Sequence, residues 1–266
     1  MTVEAATPGA PALQRVALGV SYDGRAYNGW QSQADGNTVQ DQLETALQSF
    51  ATGPKPSTLC AGRTDAGVHA EGQVVHVDLE EPIAARTIMG AANFHMKPLP
   101  VAVLDCEEVS SDFHARFDAI ARHYRYLIIN RRAPLALDKG LAWHVPQALD
   151  SDAMHEAAQR LVGHHDFTTF RSVQCQAKSP VKSLDRLDVI RHGEEISVIA
   201  EARSFLHHQV RSMVGTLKLV GEGKWTADDV TSALEARDRM ALGLNGPPEG
   251  LYLTRVIYPD GDDQAK

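Results

Sequence analysis

Apolar side chains recur along the chain with two periods, a period of two that is typical of strands and a longer one that is typical of helices. Residues 16–22 are apolar and rich in β-forming side chains, and the turn pair Asp23-Gly24 follows them, which predicts a strand. The pair Asn37-Thr38 can cap a helix, because apolar positions then recur at the helical period as far as Phe50. This part of the chain is therefore predicted to form a strand followed by an amphipathic helix.

Strands and helices are predicted to alternate through the rest of the sequence. Further strands are expected at residues 58–61, 73–79, 101–109, 122–130, 183–191 and 196–203, and further helices at 84–94, 151–161 and 205–220. Several of the strand pairs have the pattern of antiparallel neighbours, so a doubly wound parallel sheet is not favoured. The expected fold class is α/β mixed, of α+β character, with a boundary between two halves near Ser110.

The predicted helix at 205–220 has a polar flank beside its apolar stripe. The flank carries His207, Arg211 and Lys218, and the stripe consists of Leu206, Val210, Met213, Val214 and Leu217. Such a flank could face a cleft, or it could be a basic surface stripe on a packed helix, which is the commoner arrangement. The helical pattern alone leaves both interpretations open.

The size and composition of the chain limit the classes of protein to which it can belong. Its 266 residues, 43% of them hydrophobic, can bury the core of one large domain or of two ordinary ones. No apolar stretch approaches membrane-spanning length, and residues 1–13 do not have the pattern of a signal peptide. The three cysteines lie far apart, without the paired spacing of a disulfide or zinc site, so the reducing cytoplasm is the expected location.

Charge is distributed unevenly along the chain. A net charge of −8 and an isoelectric point near 5.8 argue against binding of nucleic acid, which depends on lysine and arginine. Residues 113–132, however, contain five arginines and one acid. A local basic surface can therefore exist on an acidic protein, although these arginines could equally be solvated charges that pair with nearby acids.

Glycines surround one carboxylate in the connection between the predicted strands at 58–61 and 73–79. Asp65 lies in the sequence Gly62-Arg63-Thr64-Asp65-Ala66-Gly67, where a plain turn is the commoner interpretation. The glycines permit close approach of a ligand, and Arg63 would favour the ionised carboxylate that nucleophilic or base chemistry needs. Asp65 is therefore the candidate catalytic residue.

Two short segments interleave aromatic rings with cations. Residues 113–117 have the sequence Phe-His-Ala-Arg-Phe, and residues 122–126 have the sequence Arg-His-Tyr-Arg-Tyr. This combination can hold phosphates and stack an unpaired base. For each residue taken singly, packing in the core or on a half-buried sheet remains the commoner interpretation.

Metal binding is not expected from the histidines. The pairs His164-His165 and His207-His208 are adjacent in sequence, and adjacent side chains point apart on a helix or a strand. No histidine or cysteine spacing typical of zinc accompanies them. Cys175 has no obvious base beside it in sequence, so Asp65 is a better candidate nucleophile than this thiol.

Taken in order, a series of motifs resembles the tRNA pseudouridine synthase A family from residue 16 to about residue 259. The longest motif is Ala61-Gly62-Arg63-Thr64-Asp65-Ala66-Gly67-Val68-His69, which contains the candidate carboxylate. The others are Tyr22-Asp23-Gly24, Gly29-Trp30-Gln31, Gly72-Gln73-Val74-Val75-His76, Asp112-Phe113-His114-Ala115-Arg116-Phe117, Tyr124-Arg125-Tyr126, Asp166-Phe167-Thr168, Phe205-Leu206-His207-His208-Gln209-Val210-Arg211 and Glu249-Gly250-Leu251-Tyr252-Leu253.

The resemblance implies an enzyme that isomerises uridine to pseudouridine at positions 38, 39 and 40 of the tRNA anticodon stem-loop, with no cofactor and no metal. Asp65 would be the nucleophile and would attack either the ribose or the uracil ring. Tyr124 would stack on the target base or hydrogen-bond to it, and Arg211 would pair with Asp65. The implied tRNA-contacting residues are Arg63, Phe113, His114, Ala115, Arg116, Phe117, Gln174, Cys175, Gln176, Ala177 and Lys178.

The resemblance also implies two similar α/β halves, with largely antiparallel sheets side by side, helices on one face and the active-site cleft between the halves. The N-terminal half would be residues 13–111, with the Asp65 loop, and residues 112–260 would complete the cleft and the tRNA surface. The implied state is a cytoplasmic homodimer, away from membranes, across which one tRNA lies. The residues themselves leave two other functions open, a non-catalytic RNA-binding protein and an Asp-dependent hydrolase that releases uracil.

Overall fold

The computed structural model describes residues 13–259. Its helices are α1 (Val39–Gln48), α2 (Ala85–His95), α3 (Ser151–Gln159), α4 (Gln209–Gly221) and α5 (Ala227–Ala236). Its strands are β1 (Gln14–Tyr22), β2 (Leu59–Cys60), β3 (His69–Leu79), β4 (Val101–Glu108), β5 (Ala121–Asn130), β6 (Trp143–Val145), β7 (Gly163–Asp166), β8 (Val181–Leu184), β9 (Arg186–His192), β10 (Glu195–Ala202) and β11 (Leu251–Ile257). Residues 1–12, where no signal peptide is expected, and residue 260, the end of the second predicted domain, lie outside the described residues.

The predicted amphipathic helix is confirmed as α1. The Thr38 hydroxyl accepts a hydrogen bond from the Asp41 backbone N–H at 3.2 Å and so caps the first turn. Val39, Leu43 and Leu47, which share one face at the helical period, are fully buried. The periodicity of apolar residues therefore located this helix and its buried side correctly.

Most of the strands form one large sheet. Along its main path the order is β4-β1-β3-β11-β5-β10-β9, with β2 paired to β3 and β6 paired to β5. Adjacent strands on this path are antiparallel except for β3 and β11, which are parallel. The expected fold class, a mixed α/β fold with a largely antiparallel sheet, is confirmed.

The parallel pair of β3 and β11 is the junction between two sets of strands. β1, β3 and β4 come from the first part of the chain, and β5, β9, β10 and β11 come from the second. Leu253 of β11 pairs with Ala70 of β3 on one side and with Tyr124 of β5 on the other. The two sets are thus hydrogen-bonded into a continuous sheet, and Tyr124 lies level with the start of β3.

Two predicted elements have different bounds in the structure. The strand expected at 183–191 is divided into β8, which pairs with β7 in a small separate sheet, and β9, which pairs with β10. Asp185 lies between them and donates its backbone N–H to the Glu201 carbonyl at 2.8 Å. The helix expected from residue 205 begins only at Gln209, because His208 has a left-handed backbone conformation.

Helix α5 and strand β11 were not predicted, although the sequence contains signals for both, and the short strands β6 and β7 were not predicted either. Helix α5 begins with a capping box, in which Thr226 and Asp229 satisfy each other's backbone N–H groups. Strand β11 has the strand period in its first residues, where Leu251 and Leu253 are buried and Tyr252 between them is half-buried. The second omission matters more, since β11 joins the two sets of strands.

No helix within residues 13–259 is both long enough and apolar enough to cross a membrane.

Candidate active site

Asp65 lies in the loop between β2 and β3, and three side chains surround its carboxylate, one from the first turn of α4 and two from the residues just before that helix. Arg211 Nη1 lies 2.9 Å from Oδ2, and His208 Nε2 lies 3.2 Å from the same oxygen. His207 Nε2 lies 3.0 Å from Oδ1. The Asp65 side chain is 23% exposed, so a substrate can still reach it.

The partners of Asp65 control its ionisation. Burial by itself would raise the pKa of Asp65, but the hydrogen bond and charge of His208, the hydrogen bond of Arg211 and the charge of His207 outweigh burial and lower the pKa to about 2. The carboxylate is therefore ionised at neutral pH. This is the form that a nucleophile or a general base requires.

The backbone of the Asp65 loop is fixed by residues of the neighbouring motifs. The Gln73 side chain donates from Nε2 to the Gly62 carbonyl at 2.6 Å, and its Oε1 accepts from the Gly62 N–H at 3.3 Å. The Tyr22 hydroxyl hydrogen-bonds to Thr64 Oγ1 at 2.8 Å, and the Trp30 N–H donates to the Thr64 carbonyl at 3.0 Å. Side chains and backbone from three separate motifs thus hold the Asp65 loop in one position.

Both the side chain and the backbone of Arg211 are hydrogen-bonded to Gly246. Its Nε donates to the Gly246 carbonyl at 2.9 Å, and its own carbonyl accepts from the Gly246 N–H at 2.8 Å. The Arg211 side chain is only 12% exposed, and its ion pair with Asp65 joins α4 to the loop between β2 and β3. Asp65 and Arg211, which are 146 residues apart in sequence, are therefore in direct contact.

Tyr124 is a buried neighbour of the same loop. A Cβ atom placed on Gly62 would lie 3.5 Å from the Tyr124 hydroxyl, and the Phe205 ring packs edge-on against the Tyr124 ring at 5.2 Å. Burial raises the pKa of Tyr124 well above its usual value, and the charge of Asp65 adds to the effect. The phenol is therefore neutral and can donate a hydrogen bond.

The expectation that His207 and His208 point apart is wrong. His208 has a φ of 67°, so the chain turns between the two residues, and both rings face Asp65 with their centroids 4.1 Å apart. The adjacency rule holds for regular helices and strands, and this pair belongs to neither. His207 had been placed on the flank with Arg211, whereas no signal in the helical pattern pointed to His208.

The same three side chains provide a donor set for a metal ion. Asp65, His207 and His208 each offer one ligand atom, and these atoms lie within 4.8 Å of one another. The Arg211 guanidinium, however, lies as close to the Asp65 carboxylate as either imidazole does. A cation here would be repelled by a charge that cannot be removed at ordinary pH, which disfavours metal binding.

Arg63 does not pair with Asp65, although the sequence predicted that it would favour the ionised carboxylate. Its side chain is exposed, and no ion pair joins it to Asp65 among residues 13–259. The arginine that favours the ionised carboxylate is Arg211. Arg63 lies on the rim of the loop, where solvent or a ligand can reach it.

The segment 113–117 divides into an anchored part and an exposed part. Ala115 is buried, its N–H donates to His76 Nδ1 at 3.1 Å, and its carbonyl accepts from the Tyr258 hydroxyl at 2.6 Å. Phe117 is 68% exposed and lies against the His114 ring at 4.3 Å, with the Arg116 guanidinium 5.7 Å from its centroid. The remaining residue, Phe113, packs against Tyr258. An aromatic ring beside a cation is thus available at the surface.

The segment 122–126 is mainly structural. Tyr126 is fully buried and donates to the Pro247 carbonyl at 2.7 Å, and Arg125 pairs with Glu71 at 2.7 Å. Arg122 is 6% exposed and donates to four backbone carbonyls, those of Ala61, Arg116, Ala119 and Arg203. Arg122 thereby connects three parts of the chain: the residue just before the Asp65 loop, the segment 113–117, and the residues that lead into α4.

The segment Gln174-Cys175-Gln176-Ala177-Lys178 follows Ser172, which is hydrogen-bonded to a residue of the site. The Ser172 N–H donates to the His207 carbonyl at 2.8 Å, and Ser172 in turn accepts from the N–H groups of Gln174 and Cys175. Gln174, Gln176 and Lys178 are exposed, whereas Cys175 and Ala177 pack against the core. None of the five residues contacts Asp65 through a hydrogen bond or an ion pair among the described residues.

These features together define an enzyme site, in which specific partners strongly perturb the pKa of a carboxylate that solvent can reach. The comparisons with known proteins identify the family. The family model described as tRNA pseudouridine synthase matches residues 157–259. The chain also resembles proteins named tRNA pseudouridine synthase A over nearly its whole length, and it belongs to that family.

Three relatives show the extent of the similarity. The protein from Paramagnetospirillum magneticum is 61% identical over 247 residues, which cover 92% of this chain and 96% of the relative. Those from Parvibaculum lavamentivorans and Zymomonas mobilis are 57% and 56% identical over 246 residues, which cover 92% of this chain and all of each relative. In a solved structure, that of a Cbf5-Nop10-Gar1 complex, one chain aligns at 12% identity and a TM-score of 0.33. The alignment covers 90% of this chain and 47% of the other.

Proposed function

We propose that this protein isomerises uridine to pseudouridine in tRNA, with Asp65 as the nucleophile. In this reaction the bond between ribose C1′ and uracil N1 breaks, a bond between C1′ and uracil C5 forms, and the hydrogen on C5 is replaced by one on N1. The observation that carries the proposal is the ionised Asp65 carboxylate, held 2.9 Å from Arg211 and still open to solvent.

The residues around Asp65 have roles that their chemistry supports. Arg211 keeps the carboxylate ionised and in place, and Tyr124 lines the site with a neutral ring that can stack on the target base or hydrogen-bond to it. Asp65 attacks either the ribose or the uracil ring. Because the two bonds exchanged lie within one nucleotide, the reaction needs no redox group and no external donor.

We place the substrate sites at positions 38, 39 and 40 of the anticodon stem-loop. A base in a stem must be flipped out before it can react, and flipping calls for stacking side chains and phosphate clamps. Phe117 with Arg116 offers such a pair at the surface, and Arg63 and Lys178 are further exposed cations. We assign Phe113, His114, Ala115, Gln174, Cys175, Gln176 and Ala177 to the same tRNA-binding segments.

The proposal extends to the organisation of the protein. We propose an N-terminal domain at residues 13–111 with the Asp65 loop, and a C-terminal domain at residues 112–260 with Arg211 and Tyr124. The strand order supports this division, since within residues 13–259 the two sets of strands pair with each other only at β3 and β11. We further propose that the protein works in the cytoplasm as a homodimer that binds one tRNA across both subunits.

The test is incubation of the protein with an unmodified tRNA transcript, followed by nucleoside analysis and mass measurement of the intact RNA. We expect pseudouridine at positions 38–40 in an RNA of unchanged mass, because isomerisation neither adds nor removes atoms. Release of free uracil, which lowers the mass, would indicate a hydrolase. Tight binding without any new nucleoside would indicate a non-catalytic RNA-binding protein.

A further inference from the structure

The histidine that precedes α4 has a backbone conformation that residues with side chains rarely adopt. His208 has φ 67° and ψ 0°, and Arg237 is the other non-glycine residue with positive φ among residues 13–259. Arg237 ends α5, where a left-handed residue is common. A residue at the start of a helix normally has an extended backbone instead, so the conformation of His208 needs a local cause.

Capping of α4 is not that cause. The His208 side chain makes no capping hydrogen bond, and its Nε2 instead lies 3.2 Å from Oδ2 of Asp65. The left-handed turn is what allows the rings of His207 and His208 to face one carboxylate. The unusual backbone therefore directs the His208 ring to Asp65.

The two oxygens of Asp65 have different surroundings. Oδ2 has two partners, Arg211 Nη1 at 2.9 Å and His208 Nε2 at 3.2 Å, whereas Oδ1 has one, His207 Nε2 at 3.0 Å. The Oδ2 partners Arg211 and His208 are 12% and 25% exposed, whereas the Oδ1 partner His207 is 35% exposed, so the Oδ1 side is the more open. An oxygen with two charged or polar partners is fixed, while one with a single partner keeps a free lone pair.

We propose that His208 is a positioning residue that, together with Arg211, fixes Oδ2 of Asp65 and leaves Oδ1 as the oxygen that reacts with the nucleotide. This inference rests on the proposed function of the site. His208 acts through Asp65 and needs no contact with the substrate. The left-handed backbone brings the ring to the carboxylate.

Two substitutions at this position separate the role of the ring from that of the backbone. His208→Gly suits the left-handed conformation but removes the ring, whereas His208→Gln keeps a donor that reaches as far as Nε2 but fits the backbone less well. We expect the thermal midpoint to be higher for the glycine variant and kcat to be higher for the glutamine variant. Opposite orders of stability and kcat are not expected of a residue that only supports the fold.

For His208→Gly we expect kcat for pseudouridine formation to fall about 10-fold or more, as on loss of a preorganised donor, while KM for tRNA changes less than about three-fold. Arg237→Gly is the matched control, since it relieves the same kind of backbone strain away from Asp65 and should keep the wild-type kcat. A His208→Gly variant with wild-type kcat, or with kcat above that of His208→Gln, would overturn the proposal.

A readout that is independent of activity distinguishes this proposal from the proposed function. Among the partners that lower the pKa of Asp65 against the effect of burial, His208 makes the largest contribution, so His208→Gly should raise that pKa in a carbon-13 titration of labelled aspartate. An unchanged pKa would overturn the role of His208. If the wild-type protein formed no pseudouridine and His208→Gly still raised the pKa of Asp65, the proposed function would fail and the contact of His208 with Asp65 would stand.

Discussion

Asp65 is an ionised carboxylate whose partners all come from one short stretch of chain. His207, His208 and Arg211 lie within five residues, and they hold the carboxylate from the start of α4. The pKa of Asp65, lowered to about 2, keeps the carboxylate charged at neutral pH. Removing one partner therefore leaves a partly buried charge with fewer donors, which is costly in free energy.

We expect Arg211→Ala to lower kcat for pseudouridine formation by about 100-fold or more, because a preorganised charged donor typically contributes that much. The Kd for tRNA, measured by filter binding, should change little, since Arg211 is turned inward and only 12% exposed. Arg160→Ala is the control, because this arginine lies at the surface and pairs with Asp228 at 3.8 Å. If Arg211→Ala weakened tRNA binding but kept the wild-type kcat, the role of Arg211 beside Asp65 would be refuted.

At the scale of elements, apolar periodicity located α1, α2 and α3 and most strands to within a few residues. It could not place the start of α4, because the turn at His208 depends on a contact with Asp65, distant in sequence. For the same reason the contact between Asp65 and Arg211 could be expected from the family resemblance but not from spacing. Strand β11 was not predicted although its first residues have the strand period, and its place between β3 and β5 is set by long-range pairing.

The Asp65 loop packs closely against the loop after β1, and this contact can be tested at Gly29. Gly29 has φ +90°, and a Cβ there would lie 2.7 Å from the Thr64 carbonyl oxygen. We expect Gly29→Ala to shift the Asp65 loop and lower kcat by about 10-fold, in line with the loss from a displaced catalytic group. It should also lower the free energy of unfolding by about 1–2 kcal/mol through backbone strain.

Gly36→Ala is the matched control for that prediction. Gly36 also has positive φ, at +67°, but a Cβ there would meet nothing within 4 Å. We therefore expect a similar loss of stability in urea unfolding and no loss of kcat. Equal effects of the two substitutions on kcat would show that the contact with Thr64 does not position the loop.

At the scale of the whole molecule, the site depends on segments that are far apart in the chain. Asp65 precedes β3, Tyr124 belongs to β5, and Arg211 belongs to α4. The buried Arg122 side chain connects these regions, since its guanidinium donates to the carbonyls of Ala61 and Arg203 at 2.9 and 2.6 Å. Among residues 13–259, carbonyl oxygens and no acid balance its charge, so the protein depends on those hydrogen bonds.

We expect Arg122→Met to lower the free energy of unfolding by about 3 kcal/mol or more, because it removes the donor from two buried and two partly buried carbonyls. Urea unfolding measures this directly. Arg125→Met is the control on the same strand, where loss of a half-exposed pair with Glu71 should cost about 1 kcal/mol or less. Equal costs for the two variants would show that Arg122 does not hold the segments together.

The most direct test of the central claim is the rate of pseudouridine formation by Asp65→Asn, compared with Asp228→Asn. Asparagine preserves the shape of the side chain but cannot act as a carboxylate nucleophile, whereas Asp228 is an exposed residue of α5, away from Asp65. We predict that Asp65→Asn forms no detectable pseudouridine and binds tRNA within a few-fold of the wild-type Kd, while Asp228→Asn keeps wild-type activity. Pseudouridine formation by Asp65→Asn at the wild-type rate would contradict the account.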